Sequence, residues 1–104
     1  MTVYIVSRHP GAIEWLRRAL ATPTATVLDH VDGQEFAPGD VVAGVLPLWL
    51  ASKACAAGAR VLSLDFSLSR SQRGRELDAD ELQAAGARLV PYRVEDLRCV
   101  PTST

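Results

Sequence analysis

The 104-residue chain holds a single lysine, Lys53, only two cysteines, and no hydrophobic run long enough to cross a bilayer. Its net charge of −1 offers no broad basic face, which argues against a general RNA or duplex-DNA binder. Any site for a phosphate must therefore come from local clustering among its ten arginines. A guanidinium binds phosphate bidentately and an ammonium does not, although genome base composition could produce the same bias. Cys55 and Cys99 are too few and too far apart for a metal site. Cys55 sits in an alanine-rich stretch and reads as a small buried side chain in a reduced compartment. The longest apolar run, Val41 to Ala51, is broken by Gly44 and Pro47, so no membrane span is expected. The first residues show neither a basic segment nor a long apolar one, so no signal peptide is expected and the location reads as cytoplasmic.

Several motifs are missing too. After the first apolar run there is no glycine-rich nucleotide fingerprint, no lysine-bearing phosphate loop and no Gly-x-Ser-x-Gly elbow. A phospho-accepting receiver needs carboxylates where Ser7 and Leu46 stand. His9 and His30 lack carboxylate neighbours at ligating spacing, so neither metal nor cofactor is expected.

What is present reads as one domain over residues 1–94 and a tail over 95–104. With 48% hydrophobic and 22% charged residues, the composition is that of an ordinary globular chain. The pattern alternates strand and helix. Val3–Val6 reads as a buried strand, and a helix starts near Pro10 with Ile13, Trp15, Leu16 and Leu20 inward. Thr26–Asp29 is a second strand. Residues 30–40 form a loop with room for one helical turn, and Val41–Val45 is a central third strand. Leu46-Pro47 turns into a second helix through Gly58. That helix has hardly any polar face and should lie between the sheet and a second surface, with Trp49 in the core like Trp15. Arg60–Asp65 is a fourth strand. Asp78 to Gly86 is an acid-opened helix, and Ala87–Val94 is an edge strand containing Pro91.

Such alternation implies a mostly parallel five-stranded α/β sheet with helices on both faces, Rossmann-like, in flavodoxin-type order 2-1-3-4-5. Ligands then bind outside the carboxyl ends of the strands, where the order reverses. Three connections meet there: Ser7–Gly11, Leu46–Pro47 and Asp65–Arg75. In the first, a helix N-terminus offers free N–H groups, Ser7 a hydroxyl, Arg8 a fork of donors, and Gly11 room for close approach. His9 could move a proton near neutral pH. The same residues also suit a plain helix cap with Arg8 in solvent. The third connection carries Ser67, Ser69, Arg70, Arg73, Gly74, Arg75 and Glu76. This is either a local anion site or a solvated loop paired with its own acids. Asp65 either orients a histidine or arginine or caps the loop; His30 reads as structural.

A family resemblance rests on these same residues. Ser7-Arg8-His9-Pro10-Gly11-Ala12 with Trp15-Leu16 comes first, then Pro38-Gly39-Asp40-Val41-Val42, Gly44, Leu46-Pro47 and Gly58-Ala59. Arg73-Gly74-Arg75-Glu76-Leu77 and Gly86-Ala87 complete the set. In order and spacing, from about Thr2 to Val94, they resemble the sixteenth of the Csx accessory families, Csx-sixteen, found beside type III CRISPR systems. The resemblance implies a Rossmann-like homodimer related to CRISPR nucleotide-sensing domains. Its implied ligand is a cyclic oligoadenylate, most of all the tetra-adenylate ring, which a ring nuclease cuts to end the signal. The metal-free route has a ribose 2′-hydroxyl attack its own 3′-phosphate. On this reading His9, Arg8, Arg73 and Arg75 are catalytic. Ser7, Pro10, Gly11, Leu46, Pro47, Asp65, Ser67, Ser69, Arg70, Gly74 and Glu76 form the ligand-binding set, with Asp65 or Glu76 orienting a partner. The alternatives are a protein that sequesters the ring uncut, and one that docks on a CRISPR effector through its apolar second helix.

Overall fold

A computed structural model describes residues 2–28, 31, 33–67 and 76–97. Five strands and three helices alternate: β1 (Val3–Val6), α1 (Pro10–Leu20), β2 (Thr26–Leu28), β3 (Val41–Gly44), α2 (Leu48–Ala56), β4 (Arg60–Asp65), α3 (Ala79–Ala84) and β5 (Arg88–Tyr92). The sheet order is β2-β1-β3-β4-β5, the order expected from the apolar first and third strands. β1 to β4 run parallel, with Val6 beside Gly44 and Gly44 beside Ser63, so their carboxyl ends share one edge. The described part of the 30–40 connection contains turns and no helix.

β5 is antiparallel to β4, pairing Asp65 with Arg88 and Val61 with Tyr92. Length explains the reversal. The six residues of α3 rise about 9 Å, whereas β4 runs about 20 Å, so α3 cannot carry the chain back to the start of β4. β5 therefore begins at the edge where β4 ends. As an outer strand it tolerates Pro91, which has no N–H to donate.

Strand alternation sorts the core into two layers. Ile5, Ala43 and Leu64 face α1 and α3, meeting Trp15, Leu16 and Leu82. Val6, Val42 and Val61 face α2, meeting Leu50, Ala51 and Ala54, with Phe36 edge-on to Tyr4 at 5.5 Å. Trp15 is core, and its Nε1 donates to Gln83 Oε1 at 2.8 Å, clamping α3 to α1. Trp49 is not core. It is 51% exposed, and Leu48 is 76% exposed. α2 buries one side on the sheet, and nothing among the described residues forms the second surface expected over it. Cys55 is half-buried, its sulfur accepting the Val94 N–H at 3.4 Å.

Asp40 pins the lower end of the sheet. Its buried carboxylate accepts the N–H groups of Thr2 and Ala37, both at 2.9 Å. Those bonds, Ala37's first, hold its pKa below the usual carboxylate range. No described helix is long and apolar enough to cross a membrane.

Candidate functional site

At the shared carboxyl edge, β1 passes through buried Ser7 into α1. Ser7 Oγ accepts the His9 N–H at 3.2 Å, and His9, in extended conformation, is the residue before the first helical turn. Pro10 stands at the first helical position, where its missing N–H costs nothing. No side chain caps this helix and no acid lies in its first turn. The first N–H groups of α1 therefore have no side-chain acceptor at the positive end of the helix dipole.

The His9 side chain meets Glu76, Nδ1 to Oε1, at 2.5 Å, with both side chains 67% exposed. Local packing brings residues 67 positions apart together. A Cβ on Gly11 would sit 1.9 Å from the Leu77 carbonyl oxygen, so only glycine lets α1 approach Leu77 and Asp78 this closely. Asp78 then opens α3 through a capping box, accepting the Glu81 N–H at 2.8 Å while Glu81 accepts the Asp78 N–H at 3.2 Å. Glu76, one residue before Leu77, is delivered to His9. A proton on Nδ1 directed at the carboxylate leaves Nε2 as an acceptor.

Below this pair lies a cavity of about 190 Å³. Ser7, His9 and Glu76 provide its polar atoms. Buried Leu64 and Leu82 line it together with half-buried Phe66 and Leu77 and with Ala12 and Val45. It opens at the ends of β1, β3 and β4, beside the α1 N-terminus.

The expected site residues divide into three groups. Ser7, His9 and Glu76 converge, with Pro10 starting the helix behind them, and Arg8 is exposed on the same turn. Gly11 belongs to the convergence in a different way, because its bare Cα meets the Leu77 backbone rather than open space. Leu46, Pro47, Asp65 and Ser67 do not line this cavity. Leu46 packs into the core on the α2 side, and Pro47 caps α2. Alternation turns Asp65 to the face opposite Leu64, where it accepts Ser63 Oγ at 2.7 Å and the Tyr92 hydroxyl at 2.9 Å. These bonds, Ser63's first, lower the Asp65 pKa, and the carboxylate raises that of Tyr92. The Asp65 carboxylate therefore braces β5 and does not orient His9. Ser67 is exposed, its N–H bonded to the Ala85 carbonyl at 3.3 Å. Ser69, Arg70, Arg73, Gly74, Arg75, His30 and Cys99 lie outside the described residues.

Val45, Phe66 and Leu77 escaped the sequence reading. Phe66 and Leu77 each adjoin a polar candidate and Val45 adjoins Leu46, and the usable signal was an apolar residue placed just beyond a strand end or just before a capping box. Among the described residues no three His, Cys, Asp or Glu side chains gather closely enough to hold a metal. Residues 4–95 match the model of a family described as "Putative CRISPR-associated protein (Cas_VVA1548)". No curated protein and no solved structure matches the chain.

Proposed function

The chain belongs to the Cas_VVA1548 family of CRISPR-associated proteins, and from that premise we propose that it is a ring nuclease that opens cyclic oligoadenylate, foremost the tetra-adenylate ring. The supporting observation is the His9–Glu76 pair set at an uncapped helix N-terminus, over a cavity at the carboxyl edge of the sheet. Chain cleavage by a neighbouring hydroxyl asks three things of a protein: a base for the 2′-proton, donors for the phosphorane charge, and a grip that aligns attack. Glu76 holds Nδ1–H, so Nε2 of His9 takes the 2′-proton. The 2′-oxygen bonds phosphorus as the bond to the 5′-oxygen breaks, and that oxygen takes a proton from water at the exposed mouth. A 2′,3′-cyclic phosphate and a 5′-hydroxyl result. The N–H groups of Gly11 and Ala12, with Arg8, stabilise the phosphate oxygens. Arg73 and Arg75, proposed from the sequence, add charge from the segment just before Glu76.

A tetra-adenylate ring has two-fold symmetry, and a homodimer presents two such sites across its axis. Val45, Leu48 and Trp49 are exposed at the edge that carries the cavity, and they are the apolar surface we assign to the second copy.

The test is mass analysis after incubating the protein with cyclic tri-, tetra- and hexa-adenylate in EDTA. Linear products ending in 2′,3′-cyclic phosphate are expected. His9→Ala should slow single-turnover cleavage by about a hundred- to ten-thousand-fold while the ring still binds. A ring that persists at stoichiometric wild-type protein removes the nuclease activity. Tight binding in that case identifies a sequestering protein.

A further inference from the structure

We propose that the apolar cavity beneath the His9–Glu76 pair is a nucleobase subsite, which takes one adenine of the ring and so places the attached ribose and phosphate at the mouth. The ligand's identity rests on the nuclease reading above; the cavity's chemistry does not.

Three features carry the inference. The first is polarity. A volume of about 190 Å³ would hold about six waters, each needing two to four partners. Only Ser7, His9 and Glu76 among the lining residues carry polar side chains, and those of His9 and Glu76 are exposed, while Leu64 and Leu82 are buried. Water in the depths would lack partners, and flat apolar faces replace it favourably. The second is size. Pockets for drug-sized molecules run to about 300–1,000 Å³, so this one suits a single ring system rather than a whole nucleotide. The third is the arrangement of the rim. Phe66 offers an aromatic face for stacking. Ser7 accepts the His9 N–H and keeps its own O–H as a donor for the polar edge of the base. A base seated this way leaves its sugar beside Nε2 and the helix N-terminus, where the reacting phosphate is needed.

Methyl-labelled NMR of the wild-type protein tests this with two probes, adenosine 2′,3′-cyclic phosphate and ribose 5-phosphate. The nucleotide should move the Ala12, Leu64, Leu77 and Leu82 methyl signals by ring current, and the sugar phosphate should leave them still. Silent methyls with both probes, or equal shifts from both confined to amides 7–12, would overturn the subsite. A Phe66→Leu variant, which keeps an apolar side chain, should raise KM for the tetra-adenylate ring roughly tenfold to a hundredfold; an unchanged KM also sinks it. The two readings fail separately. A ring that is cut while the methyls stay silent removes the subsite alone, and shifted methyls with an uncut ring remove the nuclease alone.

Discussion

At the scale of single residues, the question is what holds His9 in one tautomer. Glu76 lies 2.5 Å from Nδ1, yet both side chains are two-thirds exposed. Exposed ion pairs contribute little to folding, about 0–1 kcal/mol, so the pair has more to offer chemistry than stability. Glu76→Gln should leave the melting temperature unchanged and the ring bound. Its cleavage rate should fall about tenfold to a hundredfold, as when a partner that orients a histidine is removed. Nitrogen NMR of His9 supplies the readout that a merely structural contact would not move: the Nδ1–H tautomer should lose its dominance. An unaltered rate and tautomer would reduce Glu76 to a solvated acid. His9 and Glu76 are each legible as candidates from residue type, but their pairing is not. It spans 67 positions and depends on a glycine whose role is packing.

At the scale of elements, that packing is the α1–α3 contact. Gly11→Ala would drive a Cβ into the Leu77 carbonyl, and relief requires the whole strand-to-helix segment to retreat. The expected cost is about 1–3 kcal/mol in chemical unfolding, with a further loss of cleavage because Glu76 retreats with Leu77. A variant as stable and as active as wild type would show that the approach is incidental. Asp78→Ala removes the capping-box acceptor and should cost about 1 kcal/mol, checked by the same unfolding curve. The start of α3 was readable, since Asp78, Asp80 and Glu81 put acids at the positive end of a helix. The direction of β5 was not, because it follows from how short α3 is, and helix ends are set by tertiary contacts. Asp65 misled for a related reason. Its place at the end of β4 is plain from sequence, but the face it takes depends on Leu64 pointing inward. Trp49 sits at core spacing in a helix with no polar side to mark its outer face. Leu50, Ala51 and Ala54 took the sheet instead, and Trp49 was left in solvent.

At the scale of the whole molecule, two consequences follow from what is buried and what is left open. Asp40 and Asp65 both have folded-state pKa values below the unfolded carboxylate range, so folding is favoured by their charged forms. That contribution is complete above the unfolded value of about 4 and is lost as pH falls through the lower folded values. The melting temperature should therefore drop steeply below about pH 4, and Asp40→Asn should flatten that acid limb; an acid limb as steep as wild type would clear Asp40 of the effect. The second consequence concerns the uncovered side of α2. Val45, Leu48 and Trp49 are 58%, 76% and 51% exposed, and Val45 also borders the cavity. On the proposed function, a chain with net charge −1 does not gather a ring of four phosphates by its overall field, and a two-fold mate would double the local donors. Covering this apolar ridge with its two-fold mate would bring the two mouths to one ligand. Stable contacts bury about 1,200–2,000 Å² in total, which these side chains can centre but not fill alone, so the flanking loops must join them. Leu48→Glu with Trp49→Glu adds charge where neither side chain supports the fold. Sedimentation should then move from dimer to monomer with the far-UV circular-dichroism spectrum of the folded chain retained, and ring cleavage should fall with it although His9 and Glu76 are intact. A wild-type chain that sediments as a monomer at tens of micromolar, with and without the ring, would remove the second copy from the proposal.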